Sequence, residues 1–135
     1  MSVWTHVAAC IRFDALRLPG IPSMKPDLGN TCDYYSEDGD WGKCDVPCGS
    51  EGSLMTHLWE NPQEHQLAAY TVTIWGDLRD YDDVEEIAAY LQRVTDGKMV
   101  RNGVATVEVE GRQPTILIYR ENGWARGTCA DVDTL

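Results

Sequence analysis

The chain has 135 residues, with 22 acidic against 11 basic side chains and a formal net charge of −11. That length suits one domain around one core, and a hydrophobic content of 43% is too high for wholesale disorder. No apolar run reaches the roughly 18 residues of a membrane-spanning helix, and so acidic a chain is a poor direct ligand for nucleic-acid phosphates.

In chain order, the start (Met-Ser-Val-Trp-Thr-His) has no basic region followed by an apolar one, so a cytoplasmic protein without a membrane partner is expected. Residues 3–13 alternate with period two and predict a strand, with Val3, Thr5, Val7, Ala9, Ile11 and Phe13 on one face. Cys10, on the other face, reads as a small buried hydrophobe. Residues 19–53 then hold four of the six prolines, six of the twelve glycines and three of the five cysteines. No helix or strand period survives there, so the segment reads as a long irregular insert.

Residues 54–59 and 68–76 predict two strands of an antiparallel hairpin, with Trp75 as the expected core aromatic. One helix follows over about residues 83–95, where Val84, Ile87, Ala88, Leu91 and Val94 recur at the spacing of a single buried stripe. Asp82 is the predicted N-cap, with Glu85 three residues on. Strands over 104–110 and 115–119 complete the pattern, and residues 121–135 read as an irregular tail. The predicted fold is thus α+β: one domain over residues 1–135, a mainly antiparallel sheet of about five strands, and one helix packed on it. With the insert standing where a first helix would, the order approximates a ferredoxin-like β-α-β-β-α-β unit.

The charge is concentrated in two places. From Asp27 to Glu51 there are seven acids and one base, Lys43; from Asp77 to Glu86 there are six acids and one base, Arg79. The other nine acids and nine bases cancel. A solvated surface accounts for such runs simply. The alternative is a surface for a basic partner, since spaced carboxylates imitate a phosphate backbone and steer association. The candidate contact residues are Asp33, Glu37, Asp38 and Asp40 in the insert, with Tyr35 and Trp41 as apolar anchors. Asp77, Asp80, Asp82 and Asp83 before the helix complete the set.

Three thiols in the insert, Cys32, Cys44 and Cys48, are followed by His57 with the spacing C-x11-C-x3-C-x8-H. Three thiolates and an imidazole suit tetrahedral zinc. The run lacks the close C-x2-C pairs usual in structural zinc sites, so reduced, unpaired thiols and no cofactor are the plainer expectation. The carboxylates of Asp77-Leu-Arg-Asp-Tyr-Asp-Asp83 form a second metal or acid–base candidate, and would serve a metal-dependent enzyme. Against that, Asp82 and Asp83 also suit an ordinary helix start. A small-molecule reading, such as a nucleotide signal, requires a pocket of Trp, Tyr and Arg, with Arg79, Arg112 or Arg120 as the cation. Five Trp and six Tyr against one Phe favour interfaces, where an apolar ring with a polar tip is useful.

Gly49-Ser-Glu-Gly52, Trp59-Glu-Asn-Pro62 and Gly76-Asp-Leu-Arg-Asp80 together resemble small uncharacterised proteins of phages and mobile elements of Gram-positive gut bacteria, over roughly residues 49–120. The resemblance implies a phage context inside a bacterial host cell. Small acidic phage proteins often resemble inhibitors of host nucleic-acid enzymes, anti-CRISPR proteins among them. The leading expectation is therefore a non-enzymatic inhibitor that binds the basic surface of a host nuclease or other nucleic-acid-binding enzyme, and does not itself bind nucleic acid.

Overall fold

A computed structural model describes residues 2–14, 25–32, 44–60 and 68–127. In chain order the elements are β1 (Trp4–Asp14), β2 (Cys48–Gly49), β3 (Gly52–Ser53), β4 (Met55–Glu60), β5 (Ala68–Arg79), α1 (Val84–Thr95), β6 (Val100–Val109), β7 (Thr115–Arg120) and β8 (Gly123–Gly127). Six of the strands form one antiparallel sheet in the order β4-β5-β1-β6-β7-β8, while β2 and β3 make a separate two-stranded hairpin. A mainly antiparallel sheet with, among the described residues, one helix is the α+β class expected from the pattern.

The sheet is built on the alternation of β1. Thr5, Val7, Ala9, Ile11 and Phe13 are all buried. Val7, Ala9 and Ile11 stand opposite Gly76, Ile74 and Val72 of β5, and opposite Val107, Ala105 and Gly103 of β6. Because strand side chains repeat with period two, this register puts the apolar set of all three strands on one face. Ile87, Leu91 and Val94 of α1 close over that face. Val46 and Leu54 from the cysteine-bearing segment join the same core, with Leu28 and Cys44 packed partly against it. The second layer is therefore part helix and part irregular chain.

Three expectations change. Trp75 is 43% exposed, not core, because Val72, Ile74 and Leu78 take the buried side of β5 and Trp75 falls on the other. Cys10 is exposed for the same reason, on the Trp4 side of β1. The tail is not wholly irregular: Gly123–Gly127 pairs with β7 as a sixth strand. Its hairpin turns on Glu121 and Asn122, at φ 52° and 68°, between the paired Arg120 and Gly123. Two consecutive residues at positive φ match the twist of a tight hairpin, and Asn tolerates that region better than most.

Two smaller shifts concern local structure. The helix N-cap is Asp83, not Asp82: the Asp83 carboxylate accepts from the Glu86 amide at 3.0 Å. Within the insert, residues 48–53 form the small hairpin β2–β3 although they carry no apolar period.

Leu54 is fully buried, whereas Trp75 is not. Leu54→Ala is expected to lower the unfolding free energy by about 2–5 kcal/mol. Trp75→Ala should cost about 1 kcal/mol or less, the scale of a cross-strand pair. Urea denaturation of the two variants measures both, and equal losses would place Trp75 in the core.

Candidate functional site

The two stretches of chain that carry the insert cysteines lie side by side. The amides of Asp45 and Val46 both donate to the carbonyl of Asn30, at 2.9 and 3.3 Å, and the Asn30 amide donates to Asp45 Oδ2 at 2.8 Å. Gly29 permits this approach: it sits at φ +78°, and a Cβ there would lie 2.6 Å from that of Asp45. Cys32 is tied next to the hairpin. Its amide donates to Ser53 Oγ at 3.0 Å, and the Ser53 amide donates back to the Cys32 carbonyl at 3.0 Å. Ser53 pairs with Cys48 across the hairpin. Backbone bonds thus carry Cys32 to Ser53 and Ser53 to Cys48.

The hairpin itself is seated on the end of β5. A Cβ on Gly49 would meet the Arg79 carbonyl oxygen at 2.6 Å and the Arg79 nitrogen at 2.8 Å, so only glycine fits. The Ser50 amide donates to the Arg79 carbonyl at 2.9 Å, Ser50 Oγ donates to Asp80 at 2.9 Å, and Arg79 pairs with Glu51 at 2.7 Å. The end of the first acidic stretch therefore meets the start of the second.

These constraints bring the ligand atoms of Cys32, Cys44 and Cys48 within 4.8 Å of one another. The Cys32 and Cys48 sulfurs are 3.0 Å apart. All three cysteines are partly buried, and burial is the main cause that pushes each thiol above its ordinary range. A cleft of about 450 Å3 opens beside them, lined by Cys44, Cys48, Glu86, Tyr90 and Arg93 among others. Tyr90 anchors its wall: its hydroxyl donates to the Leu28 carbonyl at 2.6 Å, and burial pushes its pKa up to about 12. Arg93 donates to the Asp45 carbonyl at 3.1 Å.

His57 does not join the thiols. It is exposed on β4, with its ring edge-on to Trp59 at 4.2 Å. It shares the sheet side of Met55 and Trp59, while Leu58 of the same strand packs toward the core.

The four acids before the helix are held by different groups. Asp77 lies 2.6 Å from His6 Nδ1, Asp80 accepts from Ser50, Asp82 pairs with Arg112 at 3.2 Å, and Asp83 caps α1. Among the described residues, the cysteine trio is the group of His, Cys, Asp or Glu close enough to share a metal, and these carboxylates do not form a second. Arg79 and Arg112, candidate cations for a nucleotide, are engaged by Glu51 and Asp82. Asp33, Tyr35, Glu37, Asp38, Asp40 and Trp41 lie outside the described residues.

One surface reaches beyond the expected contact set, which from the sequence holds Trp59 as an interface candidate beside acidic residues but not Met55 or Trp75. The sheet face away from α1 carries exposed Met55, Trp59 and Trp75, at 53%, 56% and 43% exposure. Met55 is paired directly with Trp75, and Trp75 with Ala8. Trp59 Nε1 donates to Thr73 Oγ1 at 3.2 Å, which fixes the indole over the sheet. Asp77, Glu108 and Glu110 border this patch around His6, whose ring also approaches Glu110 at 3.3 Å. The signal was present in the sequence, because Met55, His57 and Trp59 alternate with Thr56 and Leu58. It could be used only once the covered face was known.

Comparison with protein-family models, with curated proteins and with solved structures gives no match to this chain.

The pKa of His6 is raised above its ordinary value of 6.5, chiefly by its hydrogen bond to Asp77; burial opposes this as the next largest effect, and Glu110 adds a further upward push. A raised histidine stabilises the fold most below its unfolded pKa, and the contribution fades as pH rises through the folded one. The stability gap between wild type and His6→Gln should therefore be widest near about pH 5.5 and shrink toward about pH 8.5. Thermal melts across that range test it; a gap that does not vary with pH contradicts the assignment.

Proposed function

We propose that the chain is a non-enzymatic binding protein that occupies a basic, nucleic-acid-binding surface of a host enzyme. The observation that carries this reading is the sheet face opposite α1, where Met55, Trp59 and Trp75 stand exposed beside Asp77, Glu108 and Glu110. Apolar rings anchored on a rigid sheet bury large area at little cost in side-chain entropy, as binding hot spots do. Carboxylates at the border add long-range attraction for a cationic partner and speed the encounter. An exposed apolar patch rimmed by polar groups is a common mark of such surfaces.

The acidic insert supplies the second contact region. Its described end docks at Arg79 and Asp80, so the two acidic stretches are contiguous there. Asp33, Glu37, Asp38 and Asp40, with Tyr35 and Trp41, extend this region in the sequence between Cys32 and Cys44. The order β6-β1-β5-β4 is the strand order of a ferredoxin-like sheet, which supports the reading that the insert replaces a first helix in the chain order. In the phage context that the segment resemblance implies, the enzyme is a nuclease of host defence, which makes the chain an anti-CRISPR-like inhibitor.

Competition decides the matter. A host enzyme captured by the chain should lose it when nucleic acid is added, and its affinity should fall at least about tenfold between roughly 50 and 300 mM salt. Trp59→Ala and Trp75→Ala should each weaken binding by about 2 kcal/mol or more. Indifference to salt and to nucleic acid would sink the mimicry, and full affinity in both Trp variants would remove the sheet face from it.

A further inference from the structure

We propose that Cys32, Cys44 and Cys48 bind one zinc ion as thiolates. Several observations converge on the site. The three sulfurs come from separate points of the chain yet lie within 4.8 Å of one another. The Cys32–Cys48 separation of 3.0 Å and the 4.8 Å upper limit bracket the roughly 3.8 Å edge of a tetrahedron with Zn–S bonds of about 2.3 Å. No single disulfide uses three thiols, whereas a metal uses all of them. Soft thiolates select zinc among the hard and borderline divalent ions, and a closed-shell ion accepts tetrahedral geometry without ligand-field preference.

The backbone around the thiols is built for the arrangement rather than incidental to it. The reciprocal Cys32–Ser53 bonds and the Cys48–Ser53 pair hold Cys32 and Cys48 through one shared residue, and the Asn30–Asp45 bonds hold the chain next to Cys44. Gly29 and Gly49 sit where a side chain would push these segments apart. The hydrophobic contribution here is modest: among the described residues of the segment Pro26, Val46, Pro47 and Leu54 are buried, and Leu28 and Cys44 are only partly covered. A metal supplies the cross-link that a segment with so modest a core otherwise lacks. It also closes the chain across residues 33–43, because Cys32 and Cys44 stand at their two ends. Cys44 and Cys48 also line the cleft, which gives the site access to solvent. Binding displaces the thiol protons to solvent and involves no change of oxidation state.

The test is metal content and spectroscopy on the full chain, reduced and purified with zinc present. One zinc per chain is expected, displaced by Co2+ with the near-ultraviolet charge-transfer absorption of thiolate ligands. Cys32→Ser, Cys44→Ser and Cys48→Ser should each lose the ion at least about tenfold more readily to a chelator, while Cys10→Ser and His57→Ala keep wild-type affinity. Should the three serine variants fail to fold, wild type alone still decides: chelation should lower its melting temperature and re-added zinc should restore it. Reduced protein that takes up no metal, a stoichiometry insensitive to Cys44→Ser, or loss of the ion in His57→Ala would overturn the site. These readouts need no partner protein, so they stand or fall apart from the binding reading above.

Discussion

Thr5, Val7, Ala9, Ile11 and Phe13 occupy one side of β1, and everything else is arranged around that row. A shift of one residue in register would move the whole row to solvent. β1 is hydrogen-bonded on both flanks, so its burial fixes the phase of β5 and β6 at once. Through β5 it also fixes β4, and with it which of Leu58 and Trp59 faces the core. The exposed aromatic surface is thus a consequence of the buried one. Met55, Trp59 and Trp75 face outward because their neighbours satisfy the core first.

The helix covers that row incompletely. Its buried stripe of Ile87, Leu91 and Val94 is one helix wide, whereas the sheet is six strands wide. The cysteine-bearing segment fills the remainder. A helix satisfies its own backbone internally, but an irregular segment must find a partner for every buried amide and carbonyl. Here the partners are Asn30, Asp45, Ser53 and the end of β5. A segment held in place largely by such polar bonds, with no continuous apolar stripe of its own, gains from a cross-link at its base.

What could be read in the sequence follows from how local each signal is. The β1 alternation and the α1 stripe each lie within one element, and both elements form where the periodicity places them. Trp75 and Cys10 went wrong because alternation names two faces without saying which one is covered; that depends on where α1 and the insert pack. β8 was missed because its five residues, Gly-Trp-Ala-Arg-Gly, carry almost no alternation, although Asn122-Gly123 before it is a recognisable turn signal. The three insert cysteines could be grouped by composition but not by spacing, since Ser53 and the Asn30–Asp45 bonds bring them together across sixteen residues of chain. His57 was grouped with them by sequence proximity alone, and the pleat of β4 turns it to the other face.

Local pairing also shapes the net charge. Each acid of the second stretch meets a named group: His6, Ser50, Arg112, the α1 amides, Arg126 or Tyr81. Exposed pairs of this kind contribute little stability, but they fix the position of carboxylates that would otherwise sample many rotamers. A cationic partner of the kind proposed would meet, at the sheet face, a charge already oriented, since Asp77 is held by His6. Preorganised carboxylates lose less entropy on binding than mobile ones. A cationic partner must also compete with the internal bases, which raises the demand on its geometry and so favours one docking surface over generic polycations.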